Sequence, residues 1–280
     1  MKIWSDTEYV FRCLADTERT LAFKRAIEEA VRPGHVVLDL GTGSGVMAIF
    51  AAKAGARKVY AVEIGDYLRR VSRENFVESG YGETIQSLHM NALEVSLNDV
   101  ERPDVVVCEM ITTGLIGEMQ GPVISALKRA GVIGPQTVIV PDEISTSVSL
   151  VSADFNFYGA RLKFPIFVDY FSKSFDNHPQ AMSEEKPAHT VRFPADFDED
   201  VRIAESLRVL KAGSVNGLMM NSATGFFGGS EVGTCSSYCQ PVILPLSETS
   251  VSEGDVVNIS ISYRMGEGFD SLNYTAEVGG

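Results

Sequence analysis

The chain has 280 residues, 45% of them hydrophobic, and a formal net charge of -13 at pH 7. This length and composition allow one large domain or two moderate domains, each with a buried core. The acidic balance argues against a nucleic-acid backbone as partner, because the two would repel each other. No apolar run approaches the ~18 residues that a membrane-spanning helix needs. We therefore expect no nucleic acid and no membrane among its partners.

The N-terminal segment and the cysteines indicate a cytoplasmic protein without a metal. Residues 1–6 lack the basic region and the following apolar stretch of a secretory signal. The four cysteines are scattered, and their spacing matches neither a redox pair nor a usual zinc site. They are Cys13, Cys108, Cys235 and Cys239. We expect them to be free thiols in a reducing compartment.

The first half of the chain alternates short apolar runs with helical patterns. The predicted strands are 35–40, 58–63, 85–90, 105–109 and 137–140, and the predicted helices are 46–53, 66–78 and 122–130. Gly55 and Gly80 stand where helices of this pattern end. The alternation predicts a parallel, doubly wound sheet of the Rossmann-like type with helices on both faces.

The second half has a different texture. Runs rich in β-branched and small polar residues, separated by glycine turns, predict strands at 144–151, 256–263 and 271–278. This half is predicted to be mainly antiparallel, as a sandwich or a β-barrel. The predicted domains are therefore 1–142 and 143–280. The polar segment 176–188, with two prolines, is predicted to be an exposed excursion.

A glycine-rich turn follows the first predicted strand and predicts a ligand site. Its chemistry-bearing residues are Asp39, Gly41, Gly43 and Gly45. Glycines allow a tight turn and a close approach of the backbone to a ligand. A dinucleotide fingerprint would need a third glycine where Val46 stands, so a pyrophosphate cradle is disfavoured. Glu63, 24 residues after Asp39, ends the next strand, where a carboxylate accepts ribose hydroxyls.

The pattern Asp-x-Gly-x-Gly-x-Gly resembles the first motif of class I S-adenosylmethionine (SAM) methyltransferases. Three further segments resemble the protein arginine methyltransferases. Glu109 and Glu118 lie nine positions apart after the fourth strand, and residues 14–20 and 50–59 are similar in sequence to the corresponding segments of the family. The resemblance implies that the two glutamates grip a substrate guanidinium and that Arg19 pairs with the carboxylate of SAM. It also implies a SAM-binding domain followed by a β-barrel.

The remaining site residues are less sharply defined. The segment that would contact adenine lacks a definite acid, so Asn91, Ala92 or Glu94 is expected to serve. Met110, beside Glu109, and Tyr238 are expected near the acceptor. Tyr238 and Trp4 either line the pocket or fill the core.

The chain departs from the family in three places. The family's Thr-His-Trp loop appears as Ser236-Ser237-Tyr238, so the histidine that would pair with Asp16 is missing. The N-terminal helix that covers SAM has Trp4 near its second tyrosine. The dimerisation arm is reduced to something like 176–188. These departures predict a monomer, or a dimer built on a surface other than the family's.

We therefore predict a SAM-dependent N-methyltransferase acting on a cationic guanidino group, in a protein, free arginine or a small guanidine. A guanidinium stays protonated, with a pKa above ~12, so it is a poor nucleophile. Two carboxylates can localise its charge and take a proton as the new bond forms. Two alternatives stay open: methyl transfer to an unrelated amine or hydroxyl of a metabolite, and a non-catalytic SAM-binding protein.

Overall fold

The computed structural model describes residues 6–171 and 178–279. Its α-helices are α1 (Thr7–Ala15), α2 (Thr17–Ala30), α3 (Val46–Lys53), α4 (Asp66–Glu78) and α5 (Gln120–Arg129). Short 3-10 helices lie at Ala92–Glu94, Thr113–Leu115 and Gly268–Ser271. Within the described parts of the chain, no helix combines the length and apolar character needed to cross a bilayer.

The first five strands form one sheet. They are β1 (Val36–Leu40), β2 (Lys58–Glu63), β3 (Ile85–His89), β4 (Val105–Cys108) and β5 (Val138–Val140). All pairings are parallel, in the order β3-β2-β1-β4-β5. Every residue of β1 and of β4 is buried, as expected for strands covered on both faces. The Rossmann-like sheet and its strands and helices are confirmed, with ends within two residues of the predicted ones.

The register of this sheet creates the site. Leu40, the last residue of β1, lies beside Val62 of β2 on one side and Cys108 of β4 on the other. The chain order reverses at β1, and ligands of open parallel sheets bind at the carboxyl ends of strands at such a point. Because three strands end together, the glycine turn, Glu63 and Glu109 meet at one edge.

The second half is mainly antiparallel, as predicted. Its strands are β6 (Glu143–Ser152), β7 (Asn156–Phe157), β8 (Ala160–Arg161), β9 (Ile166–Phe167), β10 (Gln180–Ala181), β11 (Lys186–Arg192), β12 (Asp200–Arg208), β13 (Gly213–Phe226), β14 (Ser230–Val232), β15 (Val242–Val251), β16 (Val256–Arg264) and β17 (Asn273–Val278). They form a seven-stranded sheet around β6, β13 and β15, a three-stranded sheet β12-β16-β17 and the small pair β7-β8. Closure into a barrel and the boundary at residue 142, which falls between β5 and β6, stay predictions.

The β-rich half holds the loop that follows β4. Gly114 donates its N–H to Ser222 Oγ at 2.9 Å, and Tyr263 Oη donates to the Gly114 carbonyl at 2.6 Å. Thr113 Oγ1 donates to the Gln240 carbonyl at 2.6 Å. Because these partners come from β13, β16 and the segment before β15, the loop between Glu109 and Glu118 is fixed from outside the parallel sheet.

The predicted exposed excursion at 176–188 is only partly what the structure shows. Most of residues 178–188 are exposed, but Gln180–Ala181 and the start of β11 pair with β6, and Ser183 forms an isolated bridge with Val209. Met182 and Ser183, between β10 and β11, are buried. Residues 176 and 177 lie outside the described residues. Exposed aromatic side chains occur earlier, at Tyr158, Phe164, Phe167, Tyr170 and Phe171. The segment is therefore partly paired with the sheet, and the reduced arm and the oligomeric state stay predictions.

Gly45 begins helix α3 for a packing reason. Its φ is 88°, in the left-handed region that glycine tolerates best. A Cβ at this position would lie 2.5 Å from Phe76 Cε1 and 3.2 Å from Ser72 Cβ. Helix α4 therefore approaches the backbone of Gly45 directly, and a side chain would separate the two helices.

We expect Gly45→Ala to reduce the free energy of unfolding by about 2–4 kcal/mol, combining left-handed strain with overpacking. Gly80→Ala is the matched control, because Gly80 has φ 82° but no described atom within 4 Å of the place where its Cβ would lie. It should cost about 1–2 kcal/mol, the strain alone. Urea unfolding measures both, and equal costs would contradict the packing explanation.

Candidate functional site

A cavity of about 540 Å³ lies at the carboxyl edge of the parallel sheet. This volume falls within the range of small-molecule sites, roughly 300–1,000 Å³. Ten residues singled out from the sequence line it: Arg19, Asp39, Gly41, Gly43, Glu63, Asn91, Ala92, Glu109, Met110 and Glu118. The fold therefore brings together the glycine turn, the acid after β2 and the two glutamates after β4.

Asp39 supports the glycine turn from below. It is 2% exposed, and Thr42 Oγ1 donates to its Oδ2 at 2.9 Å. Burial raises the pKa of Asp39 to about 7, with Glu63 adding to the rise and the Thr42 hydroxyl opposing it. The hydrogen bond between Thr42 and Asp39 therefore connects the glycine turn to the end of β1.

Glu63 is already connected to the same turn. Its Oε2 accepts the Gly43 N–H at 2.9 Å, and its Oε1 accepts the Gly65 N–H at 2.7 Å. A carboxylate oxygen can accept more than one hydrogen bond, so these two bonds are compatible with a ligand hydroxyl at Glu63. Asn91 lies on the next strand connection, where its Oδ1 accepts the Leu93 N–H at 3.1 Å.

The glycines and Arg19 fit SAM. A Cβ on Gly41 would lie 3.3 Å from Met110 Cγ, and one on Gly43 would lie 3.3 Å from Val10 Cγ1. The bare backbone therefore forms part of the cavity wall. Arg19 also lines the cavity, and its buried Nε has no hydrogen-bond partner within the described chain. A buried guanidinium with a donor to spare suits the carboxylate of SAM.

Arg19, Glu109 and Glu118 form a buried charge cluster. Arg19 Nη2 donates to Glu109 Oε2, and the two side chains are 6% and 13% exposed. Burial raises the pKa of Glu109, against the lowering effect of Arg19. Burial and the nearby Glu109 together raise the pKa of Glu118 to about 8. With a pKa of about 8, Glu118 is largely protonated at neutral pH in the free protein, so Arg19 and Glu109 balance each other and the second acid is held neutral beside them.

A hydrogen-bonded bracket holds the two glutamates at the ends of their loop. Met110 donates its N–H to Gln120 Oε1 at 3.0 Å, and the Gln120 N–H returns to the Met110 carbonyl at 3.1 Å. Gln120 is fully buried. The segments that carry the two acids are thereby joined directly.

Sequence reasoning missed Tyr9 and Cys13, which line the cavity from α1. They are four residues apart, so they share one face of the helix. Asp6 caps this helix, its side chain accepting the Glu8 N–H at 3.1 Å. The cap and the helical spacing were the available signals. Trp4, for which the sequence predicts a place in the pocket or in the core, lies outside the described residues.

Three expected site residues do not line the cavity. Gly45 packs against α4, and Glu94 is exposed on its 3-10 helix. Tyr238 is 2% exposed, shares a hydrogen bond of 2.6 Å with Thr224 Oγ1, and lies edge-on to Phe23. Of the two roles predicted for Tyr238, the structure assigns the one in the core.

Two serines take the place of the missing histidine beside Asp16. Asp16 Oδ2 accepts the Ser237 N–H at 2.8 Å, Ser237 Oγ at 2.9 Å and Ser236 Oγ at 3.1 Å. Burial alone would raise the pKa of Asp16, but the hydrogen bonds from Ser237 lower it below its ordinary value. Asp16 also caps α2 through the Arg19 N–H. The serines thus join the 236–237 loop to the helix that carries Arg19.

Residues 18–143 match the family model of the ribosomal protein L11 methyltransferase. An uncharacterised protein of Methanocaldococcus jannaschii is 29% identical over 266 residues, covering 95% of both chains. An arginine N(omega)-methyltransferase of Streptomyces achromogenes is 33% identical over 146 residues. That match covers 51% of this chain and 40% of the Streptomyces protein.

The fold also matches a solved structure over nearly its whole length. The PRMT1 enzyme–prozyme complex of Trypanosoma brucei, solved with AdoHcy, superposes with a TM-score of 0.78 at 18% identity. The match covers 96% of this chain and 93% of the trypanosomal chain. The chain is therefore a class I SAM-dependent methyltransferase that resembles the protein arginine methyltransferases.

Proposed function

We propose that the protein methylates a guanidino nitrogen of arginine or of an arginine-like compound. The observation that carries this proposal is the pair of buried acids, Glu109 and Glu118, in the same cavity as the glycine turn. Two neighbouring acids shielded from water repel each other unless a cation joins them. A guanidinium, planar and always charged, pairs with two carboxylates better than an alcohol or a neutral amine does.

The residues of the cavity divide the work. SAM, when bound, supplies a methyl group on a cationic sulfonium and leaves as neutral S-adenosylhomocysteine. Arg19 is proposed to hold its carboxylate, and Glu63 its ribose. Asn91 and Ala92 are proposed to lie near the adenine, and Met110 is proposed to border the acceptor. Glu94, being exposed, is better placed as a control than as a ligand.

Glu109 and Glu118 are proposed to act on the acceptor. Their carboxylates accept N–H groups of the guanidinium and draw positive charge away from the attacking nitrogen. That nitrogen forms the new N–C bond as the C–S bond breaks, with the electron pair going to sulfur. The methylated nitrogen then carries one proton too many, which Glu118 takes and passes to water.

The class of molecule that carries the guanidino group is also part of this proposal. The Streptomyces relative is named for arginine, and the trypanosomal neighbour is a protein arginine methyltransferase. A screen with labelled SAM against free arginine, small guanidines, arginine peptides, amines and alcohols tests the class. Methylation confined to amines or alcohols would replace the guanidino proposal with the metabolite alternative. Absence of any turnover by a SAM-binding protein would favour a non-catalytic role.

We expect Glu63→Ala to weaken SAM binding by roughly 10- to 150-fold, the effect of one charged hydrogen bond. The variant also frees the Gly43 N–H that Glu63 accepts, so both losses act in the same direction. Glu94→Ala, outside the cavity, should stay within about twofold of the parent by the same reasoning. Isothermal titration calorimetry measures both. Wild-type affinity in Glu63→Ala would refute the ribose assignment.

We expect Glu118→Gln to lower kcat by about 10²–10⁴-fold, the usual effect of losing a positioned acid–base group. SAM affinity should change by no more than about threefold, because the charge that is removed faces the acceptor. Glu109→Gln should lower turnover similarly, and the double variant should cost less than the two single losses combined. Glu94→Gln is the matched control. Near-normal turnover in either single variant would contradict the guanidino mechanism.

The raised pKa of Glu118, about 8 in the free protein, predicts a pH dependence. Because the ionised form is needed, kcat/KM should rise with pH, tenfold per unit, and level off near pH 8. A bound guanidinium favours the carboxylate, so kcat should level off at lower pH than kcat/KM. Initial rates from pH 6 to 9 measure both profiles. The idea fails if Glu118→Gln keeps the same rising limb.

A further inference from the structure

Helix α1 closes the cavity over the glutamate pair. Tyr9 and Cys13 line the cavity together with Val10, whose Cγ1 approaches the backbone of Gly43. Tyr9 and Glu118 line the same cavity, and hydrogen bonding from the Tyr9 hydroxyl lowers the pKa of Glu118. A residue of α1 therefore lies next to an acid more than a hundred positions later, after β4.

Glu118 has neighbours on every element around it. From α1 these are Tyr9 and Cys13, and from α2 the cation Arg19. From the end of β4 they are Glu109 and Cys108, and from the loop before β15 the thiol Cys239. Arg19 is already bound to Glu109. Tyr9 is thus the neutral hydroxyl donor that Glu118 has in this set.

We propose that Tyr9 is a positioning residue for Glu118. Its O–H donates to one carboxylate oxygen, so the carboxylate is oriented with its other oxygen toward the acceptor and ionises more readily than it would without the hydroxyl. This role rests on the proposed guanidino methylation.

The direction of the hydrogen bond follows from the surroundings of Tyr9. Burial, followed by the nearby Glu118, raises the pKa of Tyr9 above its ordinary value. The phenol therefore keeps its proton and is a donor throughout the working pH range. A hydrogen bond donated to a carboxylate favours its charged form. At Glu118 this effect opposes burial and the repulsion from Glu109.

The same geometry explains why a phenol suits this place. A carboxylate in a buried site needs donors on its lone pairs, or it protonates or turns to another partner. The charged donor nearby, Arg19, is proposed to serve the carboxylate of SAM. Tyr9 therefore leaves Arg19 to Glu109 and the cofactor, and keeps Glu118 available to the acceptor.

Tyr9→Phe tests this role, because it removes the hydroxyl and keeps the ring. The matched control is Tyr158→Phe, since Tyr158 is fully exposed and does not line the cavity. The first measurement needs no acceptor: 13C NMR titration of the glutamate carboxyl groups, with Glu118 identified by the Glu118→Gln variant. Tyr9→Phe should raise the pKa of Glu118 by about 0.5–1 unit, and Tyr158→Phe should leave it unchanged.

The second measurement is kinetic. With an acceptor that the parent methylates, the rising limb of kcat/KM against pH should move upward by the same amount. At pH 7 turnover should fall by about 3- to 10-fold and recover at high pH. SAM affinity should stay within about twofold. A loss of activity that is equal at every pH would indicate a merely structural effect and would overturn the proposal.

The two measurements separate the possible failures. An unchanged Glu118 titration in Tyr9→Phe overturns the positioning role, whatever the protein methylates. A shifted titration with an unshifted rate profile overturns it as well, because Glu118 would then be held without consequence for the reaction. If the titration shifts but no guanidino compound is methylated, the contact is confirmed and the proposed function is what fails.

Discussion

The ion pair between Arg19 and Glu109 is the interaction on which the arrangement of the site depends. It joins helix α2 to the end of β4 in a place almost closed to water. A charge buried there without a partner would cost several kcal/mol, so each member requires the other. Glu118 adds a second acid beside this pair, and burial together with the repulsion from Glu109 raises its pKa to about 8. Acids with strongly shifted pKa values are common at functional sites.

Holding such a cluster requires a rigid frame, and the frame comes from both halves of the chain. The parallel sheet places Glu109 at the end of β4, while Gln120 brackets the loop between the acids. The β-rich half then fixes the tip of that loop through Ser222 and Tyr263. Neutral hydrogen bonds thus restrain the loop without using the carboxylates of Glu109 and Glu118. Through these contacts the second half positions the loop between Glu109 and Glu118.

The serines at 236 and 237 show how a departure from a family pattern can be absorbed. They give Asp16 three hydrogen bonds, and these keep its carboxylate ionised without a titratable partner. The connection between the β-rich half and helix α2 is therefore kept. The imidazole of a histidine, which could exchange a proton, is absent from this place. The acids of the cavity whose pKa is raised are Asp39, Glu109 and Glu118.

Much of the fold and part of the site could be predicted from the sequence. Apolar periodicity and glycine spacing are local signals, so they located the parallel sheet, the turn after β1 and the acids at the ends of β2 and β4. Other features depend on contacts between distant segments, to which local patterns are blind. Only the tertiary structure placed Tyr9 over Glu118, buried Tyr238 in the core and assigned Gly45 to the packing of α4. It also paired Gln180–Ala181 and Lys186–Arg192, in and after the expected excursion, with β6. The sequence by itself determined which chemical groups are present; which of them meet was decided by how the helices and the two kinds of sheet pack together.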